Sequence, residues 1–334
     1  MDLAGELDAL AAENGFSGVV KVDRGDETLF EKAYGLAHRG YGVENTVDTR
    51  FAIGSGTKGL TALVAVSLIV DGVLKLETSA REWLREDLPE VDDGVTVEQL
   101  LAHTSGVGDY CDEDDQAEID EYHPPRPPYE LITTEDYVPV LGRPTQYPPG
   151  ERFRYNNGAF VVLALIAERA AGIPFAELVR TRVTEPAGMA DTAFLRSDEL
   201  PGRTAVGYLS DTRTNVFSLP AVGTGDGGIY STAPDFSAFW KALYAGRIVP
   251  AEWVSRMTAI VTADAGTTEG DGYGLGFWRP AAGDTVMLQG YDAGVSFRSV
   301  HNPATGVTHS VAGNTAEGTW PLTRWLSKDF LTKP

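Results

Sequence analysis

Cysteine is nearly absent from this sequence, which has a single copy, Cys111, in 334 residues. One cysteine excludes an intrachain disulfide. Cys111 stands in an acidic run, and neighbouring carboxylates disfavour the thiolate that a nucleophilic cysteine needs. We therefore expect no cysteine-based chemistry in this chain.

Basic residues are scarce: 27 Lys and Arg stand against 48 Asp and Glu, which gives a formal net charge of −21. Such a chain repels nucleic-acid phosphates and anionic lipids, so we expect neither a nucleic-acid nor a membrane partner. The acidity is typical of a well-solvated surface. The alternative is a field that steers a cationic ligand.

Long apolar runs are also missing. The most apolar segment, residues 60–70, is too short to span a bilayer. Residues 1–7 show neither the basic start nor the apolar stretch of a signal peptide. If Met1 is the native start, we expect the protein in the cytoplasm.

Several catalytic motifs are absent. The sequence has no His-Glu-x-x-His, and its five histidines are scattered, which argues against a zinc hydrolase. It has no glycine-rich loop ending in Gly-Lys-Ser/Thr and no Gly-x-Ser-x-Gly elbow. We therefore expect no metal and no organic cofactor, and we do not expect an α/β-hydrolase triad.

Apolar periodicity predicts helices and strands, with a change of character in the middle of the chain. Helices are predicted at residues 2–13, 55–70, from 96 onward, 157–171 and 320–331. Strands are predicted at residues 16–22, 28–34, 273–278, 285–288, 295–300 and 307–312. Residues 109–150 are acidic and proline-rich, so we expect a long surface loop or lid there. This order indicates an antiparallel sheet with helices on its faces and a helical insertion.

A serine and a lysine three residues apart, Ser55 and Lys58, stand at the start of an apolar helix. Residues at this spacing share one helix face, so the Lys58 amine can reach the Ser55 hydroxyl. Burial and the positive end of the helix dipole disfavour a charged lysine, and a partly neutral lysine can accept the serine proton. The segment is also compatible with a capping serine followed by a solvated lysine.

Three further segments accompany this pair. They are Leu-Leu-Ala-His-Thr-Ser-Gly at 100–106, Tyr-Asn-Asn at 155–157 after a Pro-Gly turn, and Gly-Gly-Ile-Tyr-Ser-Thr at 227–232. Together with Ser55 and Lys58, their order and separations resemble the serine β-lactamase and penicillin-binding protein family. That family includes class C β-lactamases, D-amino-acid peptidases and related esterases. The resemblance covers most of the chain.

The resemblance implies an α/β (α+β) fold of the β-lactamase type, with an antiparallel sheet of about five strands flanked by helices. Residues 1–78 and 215–334 would form an α/β lobe, and residues 79–214 a mainly helical lobe. The active site is expected in the cleft between the two lobes, with Ser55 at the start of a buried helix.

Site roles follow from the same resemblance. Ser55 would attack a carbonyl and form an acyl-enzyme, while Lys58 and the Tyr155 phenol would share the proton traffic. Asn157 would hydrogen-bond the substrate or Lys58. Tyr110 is a candidate wall residue at the entrance of the site.

The third motif of the family departs from its usual form here. Family members usually have Lys-Thr-Gly or His-x-Gly on a strand beside the site, and Tyr291 is expected at the position of that cation. Tyrosine supplies only a neutral hydrogen bond to a substrate carboxylate, which puts strong β-lactamase activity in doubt. Asp292 would repel anionic substrates if it faces the pocket. Arg298 could replace the cation if its side chain faces the site.

Two more groups receive roles from the resemblance. A backbone N–H near Ala293 or Gly294 is expected to form an oxyanion hole with that of Ser55. His103, within the segment at 100–106, is expected to hold its loop together rather than to perform catalysis.

These features predict a serine hydrolase acting on a small ester or amide through an acyl-serine intermediate. One alternative within the fold is a D-amino-acid peptidase, a penicillin-binding protein or a weak β-lactamase. An alternative of another class is a catalytically silent binding protein with the same fold. The partner is expected to be a small ester, amide or lactam, and the sequence is silent on the oligomeric state.

Overall fold

A computed structural model of the protein describes residues 2–111, 126–267, 269–281 and 284–330. The helices are α1 (Leu3–Glu13), α2 (Thr57–Val70), α3 (Ala80–Leu84), α4 (Val97–Leu101), α5 (Asn157–Ala171), α6 (Phe175–Val179), α7 (Glu185–Ala187), α8 (Ala233–Tyr244), α9 (Ala251–Met257) and α10 (Trp320–Trp325). The strands are β1 (Gly18–Arg24), β2 (Glu27–Tyr34), β3 (Leu36–His38), β4 (Val43–Glu44), β5 (Phe51–Ala52), β6 (Ala193–Phe194), β7 (Ile229–Ser231), β8 (Gly272–Tyr273), β9 (Trp278–Arg279), β10 (Val286–Asp292), β11 (Val295–Asn302) and β12 (Val307–Gly313).

The main sheet has seven strands in the order β2-β1-β12-β11-β10-β9-β8, and each neighbouring pair is antiparallel. Strand β1 from the start of the chain pairs with β12 from its end, with Val20 opposite Val311. Both chain ends therefore build one sheet. The predicted fold class is confirmed, although the sheet has seven strands rather than about five.

Helices cover both faces of this sheet. Alternate residues of a strand point to opposite faces. In β1, Val20 and Val22 pack with Leu7 of α1 and Leu322 of α10, whereas Val19 belongs to the larger core on the other face. That larger core contains α2, α5 and α8.

Helix α2 is buried along nearly its whole length, because its sequence is apolar on every side. It packs against α5, which is buried from Asn157 to Ala167. Among the described residues, no single helix is long and apolar enough to span a bilayer. Helix α5 meets that test only together with the following helical segment, from which it is bent by 84°.

One predicted strand differs in the structure. Residues 273–278 form the ends of two short strands, β8 and β9, rather than one strand. The chain reverses between them, and Gly276 there has a φ of +87°. Glycine adopts this backbone conformation without the steric cost that a side chain would add.

The predicted surface loop at 109–150 is partly different as well. Two short 3-10 helices occur in it, Pro128–Glu130 and Thr134–Val140. Leu131 and Tyr137 are buried in the larger core, so this part of the segment is packed rather than solvated. Residues 112–125 lie outside the described residues, and the lid stays a prediction there.

The lobe boundaries at residues 79 and 214 stay a prediction too. Strand β6, which falls within the predicted helical lobe, pairs with β7 in a small three-stranded sheet with β5. This small sheet lies beside the turn that carries Ser55, since β5 ends just before it.

Candidate active site

Ser55 lies in a 3-10 turn, Gly54–Gly56, directly between β5 and α2. Lys58 is in the first turn of α2 and is only 2% exposed. Its Nζ donates a hydrogen bond of 2.9 Å to Ser55 Oγ. The structure therefore brings together the two residues that the Ser-x-x-Lys spacing singled out.

The Lys58 ammonium has two further acceptors. Its Nζ donates to Asn157 Oδ1 at 2.6 Å and to the backbone carbonyl of Asp226 at 2.8 Å. Three acceptors match the three protons of an ammonium group, which offsets the cost of burying this charge. Of the two partners predicted for Asn157, the structure shows Lys58.

Asn157 is fixed in turn by the segment around Asp109. Its side-chain Nδ2 donates to the Cys111 carbonyl at 2.8 Å, and its backbone N–H donates to Asp109 Oδ2 at 2.7 Å. The Asp109 carboxylate also accepts from the backbone N–H of Gly158 at 2.8 Å. These bonds tie the N-terminus of α5, and with it the Lys58 acceptor, to residues 109–111.

Burial raises the pKa of Asp109 to about 6, against the opposing effect of the backbone N–H groups that bind it. The residue is 3% exposed. Near neutral pH it is therefore a buried carboxylate close to the lysine. Among the described residues, no group of three or more His, Cys, Asp or Glu side chains is placed to hold a metal ion.

Tyr155 directly precedes α5, and its ring lies at the same site. Lys58 Nζ lies 4.9 Å from the centroid of its ring. The ring stacks on Trp278 of β9 with a centroid distance of 5.6 Å and an interplanar angle of 21°. The lysine charge therefore makes a cation–π contact with the face of the Tyr155 ring.

His103 supports Tyr155 from behind. It is fully buried, and its ring lies 4.5 Å from the Tyr155 ring and 4.9 Å from that of Tyr273. Its Nδ1 accepts a hydrogen bond from Asn156 N at 3.1 Å. Burial, together with the charge of Lys58, holds the pKa of His103 well below its usual value. The imidazole is therefore neutral and packs against aromatic rings, which fits the structural rather than catalytic role expected for His103.

The third segment is a β-hairpin, and its register differs from the prediction. Gly290 in β10 packs directly on the Ser55 turn: a Cβ built there would overlap the Ile53 carbonyl and lie 2.8 Å from Ser55 N. Ala293 and Gly294 lie farther on, at the hairpin turn between β10 and β11. The backbone contact with the Ser55 turn is therefore made at Gly290 and Tyr291, and the one expected at Ala293 or Gly294 is not the one observed.

Ala293 and Gly294, at the hairpin turn, contact residues 207–215. The Ala293 carbonyl accepts a hydrogen bond of 2.9 Å from Asn215 Nδ2. A Cβ built on Gly294 would lie 2.8 Å from Tyr208 N. The turn is thus anchored on residues 207–215, a contact that strand periodicity does not reveal.

Tyr291 and Asp292 lie on different sides of Ser55. Tyr291 is 39% exposed, its hydroxyl donates to Glu317 at 2.9 Å, and its ring packs on Trp320. The Asp292 carboxylate lies beside the nucleophile turn, since a Cβ built on Gly54 would be 3.0 Å from its Oδ2.

A wide cavity of about 750 Å³, the outer cleft, opens on one side of Ser55. Its wall includes Tyr155, Trp278, Tyr291 and Arg298. Its charged lining residues are Arg154, Arg298, Arg324, Asp264, Glu269 and Glu317. Among the lining residues that the structure describes, positive and negative side chains are therefore equal in number.

A much smaller cavity of about 70 Å³, the inner pocket, lies on the other side of Ser55. Tyr110, Asn157, Asp226 and Asp292 all line it. The Tyr110 hydroxyl donates to Asp226 Oδ2 at 2.6 Å, so the predicted wall residue contacts the site through this carboxylate. Burial raises the pKa of Asp226 above its usual range, although the adjacent Lys58 charge opposes the rise.

Sequence reasoning missed three residues of this arrangement: Asp109, Asp226 and Trp278. Asp226 stands directly before the Gly-Gly segment at 227–232, so an acid next to a recognised motif was the available signal. Asp109 belongs to an acidic run, and such a run usually indicates a solvated surface rather than a buried carboxylate. For Trp278, the sequence carries no signal beyond its size, because its contact with Tyr155 joins distant parts of the chain.

Comparison with known proteins agrees with this geometry. The family model described as Beta-lactamase matches residues 3–327. Esterase EstB of Burkholderia gladioli is 30% identical over 333 residues, which cover 86% of this chain and 83% of the esterase. Penicillin-binding protein 4* of Bacillus subtilis is 28% identical over 256 residues, covering 71% of this chain. The chain spans about half of that protein's length, 54%.

A similar structure has also been solved. The crystal structure of a penicillin-binding protein from Bacillus halodurans superposes with a TM-score of 0.89 and 32% sequence identity. The match covers 96% of this chain and 99% of that protein. Because the family match extends over nearly the whole sequence, this chain belongs to the beta-lactamase family of serine hydrolases.

Proposed function

We propose that this protein hydrolyses a small carboxylic ester or amide through an acyl-serine intermediate formed on Ser55. The observation that carries the proposal is the hydrogen bond of 2.9 Å between Lys58 Nζ and Ser55 Oγ, inside a network that fixes the lysine. A nucleophile hydrogen-bonded to an oriented proton-transfer group is the arrangement that acyl transfer requires.

In the acylation step, the Ser55 proton passes to the Tyr155 phenolate, directly or by exchange through the Lys58 ammonium, while Oγ attacks the carbonyl carbon. The C–O or C–N bond of the substrate then breaks, and the same proton goes to the leaving alcohol or amine. In deacylation, water attacks the acyl carbonyl and gives one proton to the Tyr155 phenolate. The bond between the acyl carbon and Ser55 Oγ then breaks, Tyr155 returns the proton to Oγ, and the carboxylic acid leaves.

The developing oxyanion needs two donors close to Ser55. We assign the backbone N–H groups of Ser55 and Tyr291 to this role, in place of Ala293 or Gly294. The support is the packing of Gly290 on the Ser55 turn, together with the 3.4 Å between Tyr291 N and a Cβ built on Gly54.

An ester or amide is favoured over a carboxylate-bearing lactam by the charges around Ser55. The Arg298 guanidinium, which faces the outer cleft, is bound by Glu269 at 3.0 Å. The Tyr291 hydroxyl is bound by Glu317. The two groups that the third motif offers to a substrate carboxylate therefore already have carboxylate partners.

The test is hydrolysis of p-nitrophenyl butyrate by the wild type and by Ser55→Ala, with the cephalosporin nitrocefin assayed in parallel. We expect the ester to be turned over, nitrocefin to be a poor substrate, and Ser55→Ala to lose both activities. Ser255→Ala, which removes an exposed hydroxyl on α9, is the matched control and should resemble the wild type.

Each other outcome has a definite meaning. Faster turnover of nitrocefin would replace the esterase with a lactamase or peptidase. A wild type that hydrolyses neither substrate and takes no fluorophosphonate label would indicate a silent binding protein.

A further inference from the structure

A single residue, His103, binds the backbone on both sides of Tyr155. The backbone N–H of Arg154, just before the tyrosine, donates to the His103 carbonyl at 2.9 Å. The backbone N–H of Asn156, just after it, donates to His103 Nδ1 at 3.1 Å. These two hydrogen bonds, the His103 clamp, therefore fix the backbone that carries the tyrosine.

The imidazole also contacts the side chain of the same tyrosine. Its ring centroid lies 4.5 Å from that of Tyr155, whose ring contacts Trp278 as well, at 5.6 Å. Lys58 Nζ lies 4.9 Å from the Tyr155 centroid. The place of the phenol beside Lys58 therefore depends on the clamped backbone and on these ring contacts.

The clamp requires a neutral imidazole. Because Nδ1 accepts a hydrogen bond, it carries no proton, and the neutral ring has its proton on Nε2. A cationic ring would carry a proton on both nitrogens and would lose the bond from Asn156 N. Burial and the Lys58 charge hold the pKa of His103 well below its usual value, so the ring stays neutral and the clamp persists near neutral pH.

Two features of His103 are costly to the fold. Its backbone φ is +56°, in the left-handed region that disfavours residues with a side chain. Its Nε2 is buried, and within the described part of the chain it has no hydrogen-bond partner. An apolar side chain would fill the same space without an orphaned N–H group. Costs of this kind are typical of functional sites.

We propose that His103 is a positioning residue for the reaction, and that its carbonyl and Nδ1 hold Tyr155 where it can exchange a proton with Ser55. This role rests on the proposed hydrolase function and adds a residue to it. His103 is fully buried and lines neither the outer cleft nor the inner pocket. Its effect on a substrate therefore passes through Tyr155.

The experiment combines two substitutions, with p-nitrophenyl butyrate as the substrate. His103→Phe removes the Nδ1 acceptor and keeps an aromatic ring, and it is made both in the wild type and in Tyr155→Phe. In the wild type we expect kcat to fall by about tenfold and KM to change by less than about twofold, because Tyr155 acts in both acylation and deacylation. In the Tyr155→Phe background the same substitution should lower kcat by less than about twofold, since its effect passes through the missing hydroxyl.

His103→Asn tests whether the acceptor alone is sufficient. Asparagine Oδ1 is as many bonds from the Cα atom as histidine Nδ1, and asparagine tolerates the left-handed backbone. We expect its kcat to stay within about threefold of the wild type. As the matched control, His301→Phe changes a second buried histidine, which stacks on Trp240 and lines neither cavity, and it should leave kcat unchanged.

The outcomes separate this role from the proposed function. The positioning role is wrong, and the hydrolase stands, if His103→Phe costs nothing in the wild type or costs the same in both backgrounds. The same holds if a folded His103→Asn is as slow as His103→Phe. A wild type that does not hydrolyse the ester, or a Ser55→Ala variant that still does, would overturn the hydrolase itself.

Thermal unfolding shows which variants are folded. If His103→Phe does not fold, His103→Gln takes its place in both backgrounds, because its amide oxygen lies one bond farther from the backbone and misses Asn156 N. The same losses of kcat are expected for it, and the same results would overturn the role.

Discussion

On the inner side of Ser55 the polar groups are buried and bonded to one another, whereas on the outer side charged side chains form pairs at a wide opening. Lys58, Asn157 and Asp109 form a connected network with exposures of 5% or less. In the outer cleft, Arg298 is paired with Glu269, whose side chain is 38% exposed.

The two sides of Ser55 therefore differ in how well they tolerate substitutions. A buried network must be fully satisfied, since an orphaned partner costs the desolvation of its polar group. Partly exposed pairs cost little to rearrange, because water replaces the lost partner. The arrangement around Lys58 is therefore fixed, whereas the charge pair of the outer cleft can be exchanged at little cost.

The strongest test of the inner side is Lys58→Ala. We expect kcat/KM for p-nitrophenyl butyrate to fall by at least about 10³-fold, because the variant lacks the ammonium that orients Ser55 Oγ and relays its proton. Thermal unfolding shows whether the fold persists without this buried side chain. A folded variant with unchanged turnover would refute the role of Lys58.

On the outer side, Tyr155→Phe removes only the hydroxyl and keeps the ring that stacks on Trp278. We expect kcat/KM to fall by about 10²-fold, the usual effect of losing a positioned proton-transfer group. Tyr41→Phe makes the same chemical change on a side chain that is 83% exposed, and it should leave the rate unchanged. A wild-type rate for Tyr155→Phe would leave Lys58 as the sole base.

The buried carboxylate of Asp109 predicts a pH effect on stability. Its pKa rises on folding from an ordinary 3.8 to about 6, so its contribution is greatest below pH 4 and is lost as the pH rises through 6. Relative to Asp109→Asn, the wild type should therefore gain on the order of 2 kcal/mol in unfolding free energy between pH 7 and pH 4. Urea unfolding of both proteins at several pH values measures this difference. A flat or inverted difference would show that the backbone N–H groups and Lys58 stabilise the carboxylate enough to cancel the effect of burial on its pKa.

The smallest expected effect concerns the outer cleft. Glu269→Gln would release the charge of Arg298, whose side chain is 6% exposed and also contacts Gln289 at 2.8 Å. We expect penicillin to acylate Ser55 a few-fold faster, as a partly exposed ion pair implies. The measurement is the second-order rate of labelling by a fluorescent penicillin, with Glu252→Gln on α9 as the matched control. Equal rates in the two variants would mean that Arg298 does not meet the substrate carboxylate.

Much of the site could be anticipated because its parts are local. Ser55 and Lys58 are three residues apart, so helical geometry alone brings them together. The oxyanion contact expected of Ala293 or Gly294 was less accurate, because the register of a hairpin against a distant turn depends on packing. Gly290 fits there only because it has no side chain to collide with Ile53.

Sequence by itself predicted the buried character of α2 and the antiparallel sheet from apolar periodicity, and it predicted the Ser55–Lys58 pair from its spacing together with the family resemblance. Only the tertiary structure decided what surrounds Ser55. Asp226 lies 171 residues from the nucleophile in sequence, and Asn157 lies 99 residues from the lysine that it binds. Contacts over such separations arise from the folded packing of α2, α5 and β10, and no local pattern encodes them.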